Sequence, residues 1–354
     1  MEVKSTENAD GKLLITFALF TYNQERFIAE AIRGALSQTY SPLEIIISDD
    51  CSTDSTFAVI EKEVAGYAGR HSIRVNRNER NLGFAAHINK VMEMAKGQLI
   101  VGAAGDDVSL PERVSRTYAA FHDSNESVLS VYSNAIEINE RGERGNLHIV
   151  PPDPEHLTLE WMSKRGGGVH GCSHAWHRRV FDTFGSLDAA VVREDVVIPF
   201  RSALLGKVKF INEPLVLYRL HGNNIHYRKS DKNVADLYAN LLKLAEGNIA
   251  IFRNRLKDLD AVNHLNLDGL LPLFPKLMVE AERNLREMQN ENQMLVSSSF
   301  HRRILIIIRA FLSGTSARKI TRWGLVFLIP QLYLKYQERL RRKMQARANK
   351  QLAR

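Results

Sequence analysis

The stretch Val101-Gly-Ala-Ala-Gly-Asp-Asp107 is an apolar run of strand length that ends in two adjacent carboxylates. Upstream, Ile45-Ile-Ile-Ser-Asp-Asp50 has the same form. The residues that end a buried parallel strand face the crevice in which α/β proteins bind ligands. Two acidic pairs at two such ends therefore predict a site for a divalent cation and for a polar ligand that carries hydroxyls or phosphates.

Strands and helices alternate through the first third of the chain. Four apolar runs have strand length: 13–20, 43–47, 73–75 and 99–103. After the first run, apolar residues recur at helical spacing from Ile28 to Ala35. This order predicts an α/β fold with a mostly parallel, Rossmann-like sheet and helices on both faces.

The later sequence predicts three further regions. Runs at 128–138, 208–211 and 215–220 predict additional strands, and an amphipathic pattern without a catalytic motif follows from 231 to 294. We therefore divide the chain into four parts: a disordered N-terminus (1–12), an α/β domain (13–228), a C-terminal helical extension (229–299) and a basic amphipathic tail (300–354).

The net charge of +8 is unevenly distributed. The segment 301–354 holds 14 of the 48 Lys and Arg residues and only Glu338 among the acids, so it carries +13 and the preceding 300 residues carry −5. A concentrated cationic tail predicts a polyanionic partner surface. The chain has two cysteines and no N-terminal apolar segment, so we expect a reducing, cytoplasmic compartment.

The tail contains two apolar blocks, one at 304–312 and one at 323–333. Cations interrupt them, so neither reaches the roughly 20 apolar residues of a spanning helix. A basic helix with Trp and aliphatic residues lies in the membrane interface instead. We expect the tail to hold the protein peripherally on the inner, cytoplasmic membrane face; the alternative is a core-packing helix followed by a disordered end.

Two motifs predict a nucleotide site. Phe20-Thr-Tyr-Asn23 follows the first strand at a strand-to-helix turn that could receive a nucleotide, or could be an ordinary turn with a capping Asn. In Ser48-Asp-Asp-Cys-Ser-Thr-Asp54, Asp50 is the expected ligand contact, while Ser52 and Asp54 cap the next helix.

Two later motifs have open interpretations. Arg193-Glu-Asp195 could supply a general base, or could place acids at a helix N-terminus to complement its dipole. In Leu217-Tyr-Arg-Leu-His-Gly-Asn-Asn224, Arg219 and His221 could hold a diphosphate or His221 could bind the metal; the alternative is a solvated loop.

Two other patterns are weaker. The string Gly166-x-Gly168-x-x-Gly171 matches a dinucleotide fingerprint, but it does not sit between a strand and a crossover helix. The string His170-x-Cys172-x-His174-x-x-His177 is similar to a zinc cluster, yet no second Cys/His pair lies nearby. We expect a flexible substrate-facing segment at 164–177 instead.

Taken in order, these motifs resemble family 2 glycosyltransferases of the GT-A fold, from about residue 13 to about residue 224. The resemblance implies an inverting enzyme that uses a nucleotide-diphospho-sugar and a divalent cation, Mg²⁺ or Mn²⁺. It divides the domain into a nucleotide-sugar half (13–110) and an acceptor half (111–228). The residues matched by position are Thr21, Tyr22, Asn23 and Asp50 for the nucleotide, Asp106 for the ribose, Asp107 for the metal, Asp195 as catalytic base and His221 near the diphosphate.

The chain departs from the pattern of many relatives at Ala104, where they carry a further Asp. No Gln-x-x-Arg-Trp motif follows Asp195, so the resemblance favours addition of one sugar over processive synthesis. The expected acceptor is a saccharide or a lipid-linked saccharide, as in bacterial O-antigen (lipopolysaccharide) or capsule synthesis.

Three alternatives stay open. The first is a non-catalytic, membrane-docked binding or assembly protein on a degenerate transferase fold, for which Ala104 is the support. A sugar nucleotidyltransferase would need a glycine-rich, Arg-containing N-terminal loop that the chain lacks. An RNA-binding tail would need spaced aromatic residues, so we expect no nucleic-acid partner.

Overall fold

The structure is a computed structural model. It describes residues 12–124, 127–148, 158–165, 169–222, 224, 233–263, 272–297, 299–312, 315, 317–331, 333, 335 and 339. Most of the predicted disordered N-terminus, the glycines 166–168 and most of the tail beyond 335 lie outside this set. The chain divides into two compact units, Met1–Tyr227 with Asn254–Ala281 and Arg228–Arg253 with Glu282–Arg354.

The elements of the first half follow in chain order. They are β1 (Ile15–Thr21), α1 (Ile28–Leu36), β2 (Leu43–Asp49), α2 (Thr56–Ala65), β3 (Ser72–Arg77), α3 (Phe84–Met94), β4 (Leu99–Ala104), β5 (Val108–Ser109), α4 (Arg113–His122), β6 (Val128–Ile138) and β7 (Arg144–His148).

The remaining elements are mostly helical. They are α5 (Leu159–Arg165), a 3-10 turn (Gly171–Ser173), β8 (Ala175–His177), α6 (Arg179–Phe184), α7 (Glu194–Leu205), β9 (Lys207–Arg219), α8 (Val234–Asn263), α9 (Phe274–Val296), α10 (Phe300–Leu312), α11 (Ala317–Trp323) and a π-helical turn (Gly324–Leu328).

Within the described residues, nine strands form one sheet in the order β3-β2-β1-β4-β8-β6-β9-β5, and β7 pairs with β6. The pairs β1–β2, β2–β3, β1–β4 and β6–β9 are parallel. The chain builds outward from β1 to β3 and then returns to place β4 on the other side of β1. The strand order therefore reverses between β1 and β4, which is where open α/β sheets bind ligands.

Helices cover both faces of the parallel half of the sheet. On one face, alternate residues of β1, β2 and β4 pack against α1, α2 and α4, and the contacts include Phe17, Ile32 and Val114. On the other face, Phe20 of β1 meets Phe84 of α3 with ring centroids 5.7 Å apart. All seven residues of β1 are buried, as expected for a strand covered on both sides. The predicted α/β class is confirmed.

The sheet differs in detail from the prediction. The runs at 208–211 and 215–220 form one strand, β9, which ends at Arg219 and has register irregularities where it pairs with Asn134. The short strands β5, β7 and β8 pair in antiparallel fashion and were not predicted. They have two to five residues, too few to show a clear period.

The C-terminal part of α8 packs onto α7 within the first unit. Arg201 of α7 and Asp258 of α8 are fully buried, and Arg201 Nε donates to Asp258 Oδ2 over 2.9 Å. Arg201 also donates to the backbone oxygen of Gly185. Residues 254–281, which the sequence analysis places in the helical extension, thus cluster with the α/β domain.

The second unit has its own apolar core. It is formed by buried residues of α8, α9, α10, α11 and the chain after α11: Leu237, Leu241, Ala245, Met294, Leu295, Ile306, Ala310, Trp323, Val326, Phe327 and Tyr333. Arg303 turns inward and donates to the Phe327 backbone oxygen over 2.9 Å and to the Tyr238 hydroxyl over 3.1 Å.

Candidate active site

A cavity of about 140 Å³ opens at the carboxyl ends of β1 and β4. One wall is apolar and the other carries carboxylates. The lining residues are Phe20, Phe84, Ile88, Gly102, Ala103, Ala104, Asp106, Asp107, His170, Gly171, Cys172, Trp176, Val192, Arg193, Glu194, Asp195, Tyr218 and Asn224. Asp106, Asp107 and Asp195, far apart in sequence, therefore meet in one cavity.

The turn after β1 is held by the turn after β2. The Asn23 backbone N–H donates to Ser52 Oγ over 2.8 Å, and the Thr53 N–H donates to Asn23 Oδ1 over 2.8 Å. Asn23 and Cys51 both have positive φ, 52° and 62°, a conformation that non-glycine residues rarely adopt. Such strain clusters at ligand sites, where the surrounding contacts maintain it.

Asp50 sits at the end of β2 and orders the loop before α3. Its Oδ1 accepts from Asn78 Nδ2 at 2.8 Å and from the Leu82 N–H at 2.9 Å, and its Oδ2 accepts from the Gly83 N–H at 3.1 Å. Gly83 has φ of 79°, which favours glycine. Asp50 therefore fixes the Asn81-Leu-Gly83 turn, a contact that the sequence did not predict.

Of the predicted nucleotide residues, Tyr22 and Asn23 are exposed, and 44% of the Tyr22 surface is accessible. Thr21 is buried, and its hydroxyl donates to Gln24 Oε1 over 2.9 Å. Thr21 ends β1, Tyr22 and Asn23 follow it, and Asp50 follows β2. None of the four lines the cavity. They lie at the neighbouring strand ends of the same sheet edge.

Gly105, directly after β4, packs so closely against the end of β1 that there is no room for a side chain. A Cβ atom there would lie 2.4 Å from Gln24 Oε1 and 2.7 Å from Thr21 Oγ1. The Gly105 N–H also donates to the Phe20 backbone oxygen over 2.9 Å. The absence of a side chain thus lets the acidic pair that follows β4 come close to the β1 turn.

Asp107 points into the protein. It is 5% exposed, and its Oδ1 accepts from the Arg219 backbone N–H at 2.8 Å. Burial, together with the nearby charge of Asp106, raises the pKa of Asp107 well above its ordinary value, although the positive charges of Arg113 and Arg219 oppose the shift.

Asp106 faces the cavity and pairs with a histidine. Its Oδ2 lies 2.9 Å from His221 Nε2, and the His221 ring packs on Phe27 with centroids 4.9 Å apart. A carboxylate oxygen is the ligand type that Mg²⁺ and Mn²⁺ prefer, with water and phosphate oxygens completing the shell. The described residues contain no group of three or more metal-ligating side chains, so the pair fits a cation held jointly with a ligand.

Glu194 and Asp195 begin α7 on the cavity wall. Burial, and next the charge of Asp195, raises the pKa of Glu194 to about 8. At neutral pH Glu194 therefore keeps its proton. Gly171 passes close to both, because a Cβ there would lie 3.0 Å from Glu194 Oε1.

Arg219 is a structural residue rather than a cavity residue. It is fully buried, its Nη2 forms a 3.0 Å ion pair with Glu30 of α1, and its Nε donates to the Asp106 backbone oxygen over 2.9 Å. Its guanidinium carbon lies 4.9 Å from the centroid of the Phe27 ring. The sequence suggested a diphosphate contact for Arg219, and no sequence signal connects it to Glu30, 189 residues away.

The histidines of the 170–177 segment do not share one site, because they contact different partners. His170 Nδ1 lies 3.2 Å from Cys172 Sγ, while His174 is buried and its Nε2 lies 2.9 Å from Ser130 Oγ. Burial, and then the charge of Arg113, lowers the pKa of His174 to about 3. The residues between these two histidines, Gly171–Ser173, form a 3-10 turn.

The comparisons with known proteins agree with this geometry. The family model described as glycosyl transferase family 2 matches residues 16–185. EpsE of Bacillus subtilis (strain 168), assigned as a glycosyltransferase, is 36% identical over 134 residues, which cover 38% of this chain and 47% of EpsE. The first relatives in the curated set are matched over about half to two thirds of their own length.

Two further similarities cover more of the chain. Glycosyltransferase GlyG of Streptococcus pneumoniae serotype 4 (strain ATCC BAA-334 / TIGR4) is 24% identical over 70% of this chain and 86% of GlyG. The crystal structure of S. aureus TarS 1–349 in complex with UDP-GlcNAc has a TM-score of 0.52 at 16% identity, over 90% of this chain and 92% of TarS 1–349. The shared fold is the GT-A fold, and residues 16–185 are a domain of glycosyl transferase family 2.

Proposed function

We propose that this protein is an inverting glycosyltransferase that moves one sugar from a nucleotide-diphospho-sugar to an acceptor hydroxyl. The observation that carries the proposal is the meeting of Asp106, Asp107 and Asp195 in one cavity at the sheet's switch point. Asp106 and Asp107 lie within the segment that matches the family 2 model. The relatives assigned as glycosyltransferases support the same reaction class.

The donor nucleotide is proposed to bind over the ends of β1 and β2. Thr21, Tyr22, Asn23 and Asp50 are the residues that would face it, and the exposed Tyr22 ring offers a surface for a base. The three hydrogen bonds that Asp50 accepts keep its carboxylate in place before a ligand arrives. The complex of TarS with UDP-GlcNAc supports a nucleotide sugar as the donor class.

Asp106 and Asp107 are the proposed ribose and metal residues, and His221 lies beside them. Asp106 lines the cavity and its Oδ2 meets His221 Nε2, while Asp107 fixes the end of β9 through the Arg219 N–H. Bound there, a divalent cation, Mg²⁺ or Mn²⁺, would supply positive charge for the diphosphate leaving group.

Asp195 is the proposed general base. It would accept the proton of the acceptor hydroxyl while the acceptor oxygen forms its bond to the anomeric carbon. The bond from that carbon to the diphosphate breaks on the opposite face, so the configuration inverts. Glu194 keeps its proton at neutral pH, so it is not the proposed base.

The test is donor hydrolysis by the full chain, screened over UDP-, GDP- and dTDP-sugars with Mn²⁺. At least one donor should be hydrolysed. With that donor, Asp195→Asn should slow transfer by on the order of 10²–10⁴ while nucleotide-sugar affinity is retained. Asp188→Asn, a change of the same chemistry outside the cavity lining, is the matched control. Hydrolysis of no donor in the panel would favour the non-catalytic binding protein instead.

We further propose that the tail docks the protein on the anionic inner face of the cytoplasmic membrane, where a lipid-linked saccharide would be its acceptor. No described helix is long and apolar enough to cross a membrane. Much of the second apolar block, including Trp323, Val326 and Phe327, is buried in the core of the second unit. The apolar surface available for docking therefore lies elsewhere.

That surface is the outer face of α10. Leu305, Ile308 and Leu312 are spaced at i, i+3 and i+7 and are 55%, 48% and 78% exposed, while Ile306 and Ala310 on the other face are buried. Exposed Arg302 and Arg309 lie beside this stripe, and the surrounding tail is strongly cationic. An apolar stripe flanked by cations matches an interface dominated by anionic lipid.

Flotation with vesicles of phosphatidylglycerol and phosphatidylethanolamine at low salt tests this docking. The wild type should float with them and should not float with pure phosphatidylcholine vesicles. Ile308→Glu with Leu312→Glu should abolish flotation. Val279→Glu, at an apolar position of the first unit that is 62% exposed, is the matched control and should float normally. Equal flotation of both variants would refute the role of α10.

A further inference from the structure

An aromatic cluster of His148, His170 and Tyr218 lies at the edge of the cavity. The His148 and His170 rings stack with centroids 4.7 Å apart and an interplanar angle of 19°. Tyr218 meets His170 edge-on at 5.0 Å and lies 5.3 Å from His148. All three residues are partly exposed. None of them has a part in the transfer chemistry proposed above.

The protein holds these rings in place from three sides. His148 Nδ1 lies 2.8 Å from Glu137 Oε1, and Glu137 is the register partner of Tyr218 between β6 and β9. His170 Nδ1 lies 3.2 Å from Cys172 Sγ. Burial, and then the charge of Asp107, raises the pKa of the Tyr218 hydroxyl, so the phenol stays neutral. The cluster is therefore a preorganised, partly open aromatic surface.

The cluster is also adjacent to the proposed base. His170 and Tyr218 line the same cavity as Asp106 and Asp195. Gly171, directly after His170, lies against Glu194 and Asp195. The edge of a ligand bound to the cluster would thus lie within the cavity that contains the Asp195 carboxylate.

We propose that the cluster is a specificity-determining subsite for a saccharide acceptor, whose pyranose ring stacks on it. A pyranose has a face of weakly positive C–H groups and a rim of hydroxyls. Aromatic faces are negative, so they attract the C–H face, and Glu137 is placed to accept from a hydroxyl of the rim. This inference rests on the proposed function, and it assigns the acceptor as a sugar ring rather than an acyclic alcohol.

The experiment compares ring and acyclic acceptors in the full-length protein. The probes are methyl glycosides of glucose, galactose, N-acetylglucosamine and rhamnose, with glycerol as the acyclic hydroxyl compound. The donor is the nucleotide sugar that the wild type hydrolyses. For each variant, the kcat/KM for the best glycoside is divided by that variant's own value for glycerol, so a general loss of activity cancels.

The wild type should prefer a glycoside to glycerol. His148→Ala and His170→Ala should each reduce that ratio by on the order of tenfold, mainly through the KM of the glycoside, as truncation of a buried aromatic contact does. His170→Phe, which keeps a ring, should retain most of the preference. His122→Ala, an exposed histidine of α4, is the matched control and should leave the ratio unchanged.

Two results would overturn the subsite. One is a wild type that hydrolyses the donor but accepts no methyl glycoside better than glycerol. The other is an unchanged ratio in both alanine variants. If the wild type hydrolyses no donor, the proposed function fails first, and that result is distinct from either of these.

Discussion

Replacing Glu194 by glutamine should stabilise the protein at neutral and alkaline pH. Glutamine resembles the protonated acid and does not ionise in either state. In the wild type the pKa of Glu194 is about 8 in the folded protein, against 4.5 as its ordinary value. Between these values the unfolded chain loses the proton and the folded protein keeps it, so wild-type stability falls as the pH rises through this window.

One pKa unit corresponds to about 1.4 kcal/mol. Relative to the wild type, the free energy of unfolding of the glutamine variant should therefore be unchanged below pH 4, higher by about 3 kcal/mol at pH 7 and higher by about 5 kcal/mol above pH 8. Urea unfolding of both proteins at pH 5, 7 and 8.5, followed by circular dichroism, measures the difference. Transfer below pH 8 should survive the change, since Asp195 remains. A stability difference that does not vary with pH would refute the reasoning about the buried pair.

Three further outcomes are expected. Asp106→Ala should remove the stimulation of donor hydrolysis by Mn²⁺, and EDTA should inhibit the wild type reversibly; turnover unaffected by EDTA would argue against a cation. Arg201→Met should lower the free energy of unfolding by roughly 3–5 kcal/mol, because the buried Asp258 loses its partner; a Tm within a degree of wild type would contradict this. Gly105→Ala should lower the free energy of unfolding by roughly 1–3 kcal/mol and weaken donor binding, because its Cβ would overlap the Thr21 side chain. Gly66→Ala has open space around the Cβ position, so it should change neither the stability nor the donor binding.

The sequence predicted the parallel core of the sheet and the ends of its strands. β1, β2 and β4 are continuous apolar runs, and their acidic ends lie at one edge because parallel strands share a direction. The meeting of Asp106 with Asp195 could not be derived from spacing. It depends on β9 joining the sheet and on α7 packing against β6 and β9, a long-range arrangement that local patterns do not encode.

Residues that serve the interior were harder to recognise. Arg219 stands in a polar string that is typical of a solvated loop, yet it is fully buried because Glu30 and backbone oxygens satisfy its guanidinium. Trp323 and Phe327 have the composition of a membrane-facing block, yet they are buried because α8 and α9 supply apolar partners. In both cases the deciding neighbour lies dozens of residues away.

The Arg201–Asp258 pair has a consequence for synthesis on the ribosome. Arg201 emerges 57 residues before its partner, and the strand that follows α7 emerges in the interval. Until α8 is complete, the helix that begins with Glu194 and Asp195 has a cation but no counter-charge beneath it. We therefore expect the nascent α/β domain to complete its fold only after α8, a helix that carries no catalytic motif, has been made.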